Sequence, residues 1–197
     1  MSSYAQSYRR AEEDPNGFWL EAASGLAWEN PPTRGVDDSR APLFAWFGDG
    51  TLNLSVSALD RHVAAGRGGQ AALIYDSAVL GLKRSYSYSE LLEQVAKTAG
   101  ALAGLGVGVG DRVLLYMPMI PEAVIGMLAC ARLGAIHSVV FGGFAPRELA
   151  SRIDDAAPTA VLTATGGVEP SRRIEYLPAL AEALRLSEHT VPHVLVT

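Results

Sequence analysis

The chain has 197 residues, with 16 Lys+Arg against 21 Asp+Glu and one cysteine. That length supports one substantial core. The formal net charge of -5, with no basic cluster, offers no footprint for nucleic acid, and a lone cysteine excludes an internal disulfide framework or a cysteine-cluster metal site. No apolar run approaches the roughly 18 residues of a membrane span. The opening MSSYAQSYRRAEEDPNGFW has no apolar signal core, so a cytoplasmic protein is the expectation.

In residues 1–50 no hydrophobic period is sustained. The first ten residues suit a short helix. Beyond them Tyr8, Phe18, Trp19, Trp28, Phe44, Trp46 and Phe47 are scattered among polar residues, with Pro31, Pro32 and Pro42 interrupting. This pattern suits an extended arm held by aromatic anchors, which offset its ordering entropy; the same aromatics could instead face a partner. A weak helical signal at Leu59–Val63 ends in AGRGGQ. Ala71–Tyr75 and Lys83–Tyr88 alternate as a hairpin would. Ser87 with Glu90 three residues on forms a capping box for a helix striped by Tyr88, Leu91, Leu92, Val95, Ala99 and Leu102. The glycines of LAGLGVGVGD lack the Lys-Ser/Thr ending of a phosphate loop and stand between a helix and a strand, so they read as a turn.

Arg112–Tyr116 is a short apolar strand. Pro121 then opens an apolar helix that Gly134 stops, and Cys130 within it reads as a buried small hydrophobe. His137–Phe141 is a second strand, ending at Gly142–Gly143. Pro146 starts another helix, with Leu149 and Ile153 inward and Asp154–Asp155 near its end, on a solvated face. Ala160–Ala164 is the next strand, and a helix is expected from Arg172 to about Leu186, with Pro178 kinking it or delaying its start. Val191–Thr197 closes the chain as a strand. Four strands joined by crossover helices predict a layered α/β fold with a mostly parallel, doubly wound sheet. The expected division is an N-terminal arm with short helices at 1–58 and an incomplete α/β subdomain at 59–197.

No catalytic constellation and no metal-ligand set emerges from His62, His137, His189, His193 or the carboxylates, and His137 at a strand head reads as a packing or hydrogen-bonding residue. Two places point to a ligand. Gly142–Gly143 follow a strand end, where the missing side chains admit either a tight turn or a flat or phosphorylated ligand. Glu169–Arg173, EPSRR, follows the next strand, and adjacent guanidinium forks suit phosphate oxygens, although a solvated helix start has the same pattern. A nucleotide-like ligand lying across both is the sharpest reading of these residues.

The stretch YMPMIPEAVIGMLACARLGAIHSVVFGGFAPRELASRIDDAAP resembles the N-terminal part of short-chain acyl-CoA synthetases, the AMP-forming acetate– and propionate–CoA ligases. The likeness extends upstream through LNLSVSALDRHV, ALIYDS, SYSYSELLEQVAKTAGAL and GVGVGDRV, and downstream to HVLV. GGVEPSRRIEYLPAL is similar to the propionate version, because the acetate enzymes usually carry arginine where this chain has Glu169. The resemblance implies the N-terminal part of the large domain of an adenylate-forming ligase. It implies that Glu169, Pro170, Ser171 and Arg172 touch the phosphate-bearing nucleotide end of coenzyme A, with Phe141, Gly142 and Gly143 near its adenine and ribose. Arg173 could supplement Arg172. ATP, magnesium and a short-chain carboxylate such as propionate would serve the complete enzyme, which forms an acyl-adenylate that the coenzyme A thiol then attacks.

The family's Ser/Thr/Gly-rich phosphate loop ending in Lys-Gly, its acyl pocket and its catalytic lysine would follow the last strand and are not in these residues. The chain is therefore expected to be an N-terminal portion, inactive alone. The alternatives are a non-catalytic coenzyme A-binding or protein-interaction module, or one part of a split ligase completed by another polypeptide. An open sheet edge also leads to an expectation of self-association.

Overall fold

A computed structural model describes residues 3–197. Their contacts divide the chain into two compact units, meeting in sequence between Ser57 and Ala58.

In the first unit α1 (Tyr4–Glu13) is opened by a capping box: Gln6 N–H donates to Ser3 Oγ at 3.3 Å, and Ser3 N–H donates to Gln6 Oε1 at 2.7 Å. The expected ten-residue helix is thus three residues longer at its far end, while positions 1 and 2 lie outside the described residues. A second helix, α2 (Pro15–Ala23), stands where an extended arm was expected. Its cause is local: Asp14 accepts from Gly17 N–H at 2.9 Å, and Pro15 occupies the first turn, where no N–H is needed. Four short strands follow, β1 (Trp28–Asn30) paired with β4 (Thr51–Leu52) and β2 (Val36–Asp37) paired with β3 (Ala45–Trp46), all antiparallel. The aromatics pack on one another. Trp19 meets Phe18 and Trp46 edge-on at 5.2 and 5.5 Å between centroids, and Trp28 meets Phe47 at 5.8 Å. Trp28 Nε1–H also donates to Ala23 O at 2.8 Å.

The second unit begins within the π-helical turn Val56–Asp60, and a second such turn, Val63–Arg67, stands where the weak helical signal ended. The hairpin of β5 (Ala71–Ser77) and β6 (Leu82–Ser87) precedes α3 (Tyr88–Gly104), whose Ser87–Glu90 capping box is formed as the sequence implied. Then come β7 (Arg112–Tyr116), α4 (Pro121–Leu133), β8 (Ile136–Val139), α5 (Pro146–Ala156) and β9 (Ala160–Thr163). A small hairpin of β10 (Gly166–Val168) and β11 (Arg173–Glu175) precedes α6 (Tyr176–Leu186) and β12 (His193–Val196).

The main sheet is parallel, in the order β12-β9-β7-β8. β7 is buried on both faces beyond Arg112, which is why Val113–Tyr116 reads as a continuous apolar run. Its period-2 alternation divides the core. Val113 and Leu115 join Leu91, Val95, Leu102 and Ala129 under α3 and α4, while Leu114 and Tyr116 join Leu149, Ile153 and Leu180 under α5 and α6. Helices thus cover both faces, as a doubly wound sheet requires. Gly134 ends α4 at φ 70°, a left-handed conformation that suits glycine. Cys130 is fully buried in the core, and that burial pushes its thiol up to about 11.

Two expectations change. The segment from Arg172 does not start a helix: Arg173–Glu175 pairs antiparallel with Gly166–Val168, and α6 begins at Tyr176, the later start that Pro178 allowed rather than a kink. Pro178 then falls in the first turn, where its missing N–H is not used by the helix. Asp154 is also more than a solvated carboxylate. Its Oδ1 accepts from Ser187 Oγ at 2.5 Å, Glu188 N–H at 2.9 Å and His189 N–H at 3.0 Å, tying the turn after α6 to the end of α5. The Ser187 hydroxyl, then the His189 N–H, hold its carboxyl below the usual range.

Candidate functional site at the carboxyl ends of the parallel strands

The chain leaves β7 toward α4 on one face and leaves β8 and β9 toward α5 and α6 on the other. The carboxyl ends of these strands therefore meet at a topological switch point, where open α/β sheets bind ligands. A cavity of about 590 Å³ lies there. Its walls come from the segment after β7 (Met117–Ile120), the loop after β8, the β10–β11 hairpin and the tip of β5–β6.

Of the residues singled out in sequence, Phe141, Gly142, Gly143 and Glu169 line this cavity together. Pro170, Ser171 and Arg172 are not in its wall. They form the exposed turn of the β10–β11 hairpin, closed by Glu169 N–H donating to Arg172 O at 2.9 Å. Arg172 Nε–H donates to Glu169 Oε2 at 2.9 Å across that turn, so the cation is partly matched by the acid beside it. Arg173, in β11, is exposed.

The two loop glycines have different surroundings. A Cβ on Gly142 would lie 2.1 Å from Tyr176 Oη, so the missing side chain is what lets the tyrosine approach the loop. A Cβ on Gly143 would lie 2.5 Å from the Phe141 ring. Phe141 itself is 72 % exposed and meets Phe144 edge-on at 5.9 Å, an open aromatic face beside glycine backbone.

The electrostatics sort the possible ligand groups. The charged residues in the wall are Asp76 and Glu169, with no Lys or Arg among the described residues that line it. Apolar and backbone surface dominates the rest. A flat, uncharged heterocycle suits such a floor, and the nearby cations Arg172 and Arg173 stand outside it on the hairpin.

Tyr176 escaped the sequence reading. It falls within the helix expected from Arg172, and the hairpin and later helix start carry it to the cavity. Its ring packs on Tyr116 at 4.9 Å between centroids, and burial raises the pKa of both phenols. A second cavity of about 410 Å³ opens between α3, α4 and the ends of β9 and β12, where Arg84, Lys97 and Glu122 are its charged residues. No helix among the described residues is long and apolar enough to cross a membrane.

Comparison with known proteins identifies the family. The family model described as AMP-binding enzyme matches residues 60–196, and the model described as Acetyl-coenzyme A synthetase N-terminus matches residues 4–58. An uncharacterized protein of Pseudomonas aeruginosa is 54% identical over 98% of this chain and 31% of its own length. The mitochondrial acyl-CoA synthetase short-chain family member 3 of Mus musculus is 48% identical over 98% of this chain and 28% of its own. Acetyl-coenzyme A synthetase of Streptomyces coelicolor is 47% identical over 98% of this chain and 29% of its own. The solved acetoacetyl-CoA synthetase from Streptomyces lividans superposes with a TM-score of 0.88 at 28% identity, over 100% of this chain and 30% of that one. The chain thus spans slightly less than a third of the length of these relatives. It belongs to the AMP-binding enzyme family, and within it resembles the N-terminal part of short-chain acyl-CoA synthetases.

Proposed function

We propose that these residues form the N-terminal portion of an AMP-forming propionate–CoA ligase and that their own task is to hold the nucleotide end of coenzyme A. The observation that carries this is the cavity at the strand ends, where the loop after β8 and the β10–β11 hairpin face one another. In this reading residues 1–58 act as an arm and 59–197 as part of the ligase's large domain.

The residues fit the coenzyme as two chemically distinct parts. Phe141, Gly142 and Gly143 offer an aromatic face and close backbone to the adenine and ribose. Glu169, Pro170, Ser171 and Arg172 shape the rim, where the Arg172 guanidinium meets phosphate and Arg173 adds a second cation. Glu169 lowers the net positive charge at that rim, since it holds the Arg172 Nε–H. Its presence in place of arginine supports the propionate over the acetate assignment. Coenzyme A, when bound, supplies the thiol that takes up the acyl group; ATP, magnesium and the carboxylate belong to the complete ligase. Among residues 1–197 no Ser/Thr/Gly-rich loop ending in Lys-Gly occurs, so these residues do not turn over by themselves.

Two measurements test the reading. Titrating coenzyme A into the purified chain is expected to give a measurable affinity that Arg172→Ala weakens; no interaction at millimolar coenzyme removes the binding role. ATP-dependent propionyl-CoA formation by the 197 residues with no other polypeptide present would overturn the claim of incapacity.

A further inference from the structure

Tyr176 opens α6 at the back of the cavity and is only 3 % exposed. Its hydroxyl makes no hydrogen bond among the described residues, and it is not among the sealed side-chain atoms that lack a partner. The residue is thus surrounded on nearly every side, yet it lines the cavity, and its hydroxyl lies beside the Gly142 backbone that also lines it. A phenol hydroxyl with no protein partner in a cavity wall is free to bond a group that enters there.

The position is held from three sides. Tyr116 packs on the ring at 4.9 Å between centroids. A Cβ on Gly142 would lie 2.1 Å from Oη, and one on Gly167 would lie 3.0 Å from Cε2. A side chain at Gly142 would displace the ring, and one at Gly167 would press against it. The donor is therefore already oriented before a ligand arrives, which reduces the ordering needed on binding.

We propose that Tyr176 reads the base of the nucleotide bound in this cavity, its hydroxyl donating a hydrogen bond to a nitrogen of the purine ring. The inference rests on the coenzyme A reading of the site and adds to it a residue that sets ligand choice. A ring nitrogen fits better than a phosphate oxygen because the wall around Tyr176 is apolar, with Asp76 and Glu169 as its only charges among the described residues. Burial, the larger cause, and the neighbouring Tyr116 and Glu169 all raise the phenol pKa, so the hydroxyl keeps its proton at neutral pH and acts as a donor.

The test is calorimetric titration of adenosine 3′,5′-bisphosphate and its 1-deaza, 3-deaza and 7-deaza analogues into the wild-type chain and into Tyr176→Phe. The substitution keeps the ring and removes only the hydroxyl. Loss of one hydrogen bond is expected to weaken binding of the parent nucleotide about three- to tenfold. One deaza analogue should suffer the same loss on the wild type and no further loss on Tyr176→Phe, a non-additivity that a purely structural role would not produce. The deaza arm needs no variant, so it holds even where Tyr176→Phe folds poorly. If the wild type binds the parent and all three analogues alike, the base-reading role is overturned while the coenzyme site stands. Weaker binding by Tyr176→Phe without any deaza effect also overturns it. No binding of the parent at millimolar concentration overturns the site itself.

Discussion

Gly126 and Gly100 both lie within helices, yet alanine should act in opposite directions at the two. Alanine in a helix interior is about 1 kcal/mol better than glycine, because glycine loses more backbone freedom on folding. Gly100, in α3, is exposed, and a Cβ there would have nothing within 4 Å. Gly100→Ala should therefore realise most of that gain. Gly126, in α4, lies against the sheet, where a Cβ would fall 2.8 Å from Leu162 Cδ1 and 3.2 Å from Leu115 Cδ2. Both leucines are packed in the core, at 6 % and 0 % exposure, so neither can move without disturbing neighbours. Overpacking of this kind costs about 1–3 kcal/mol, which cancels or exceeds the helical gain. The two variants should differ by about 1–3 kcal/mol, or about 2–12 °C in melting temperature for a chain of this size. Thermal unfolding followed by circular dichroism measures this directly. If Gly126→Ala raises the melting temperature as much as Gly100→Ala, α4 does not approach the sheet closely at Gly126.

Other consequences follow from single groups. Asp154 has a depressed pKa in the folded state, so its stabilisation is full above the ordinary value of 3.8 and is lost as pH falls below it. Asp154→Ala should melt lower than wild type at pH 7, and the gap should close toward pH 2; a gap independent of pH would refute the hydrogen-bonded carboxylate. Cys130, fully buried with its thiol pushed up to about 11, should resist a chromogenic disulfide reagent in the native state and react on unfolding; fast labelling of the native chain would contradict the core assignment. Glu169→Gln removes the charge that holds Arg172 Nε–H, so it should tighten coenzyme A binding by a few-fold, read by titration, and an unchanged affinity would detach Arg172 from the phosphate.

The sheet was legible because its physics is local. A strand buried on both faces must be apolar throughout, and Arg112–Tyr116 is so apart from its first residue. The Ser87–Glu90 capping box and the Gly134 stop are likewise set by a few neighbouring residues. Helix α2 was missed because its signal is the short DPNG entry rather than a hydrophobic period: its residues Phe18 and Trp19 pack on other aromatics, not along one stripe. The β10–β11 hairpin was missed for another reason. Arg173–Glu175 has no strand pattern of its own, and its pairing with Gly166–Val168 is fixed by cross-strand contacts that no single-segment reading contains. That hairpin in turn delays α6 and brings Tyr176 to the cavity, so the residue could not be found before the turn was known.

The most direct test of the central claim is hydrogen exchange of the purified chain, measured peptide by peptide with and without coenzyme A. Coenzyme A should add protection in two separated segments, residues 139–144 and 166–176, with little change in α3 or α5. Protection elsewhere, or none at saturating coenzyme, would contradict a nucleotide site at the strand ends.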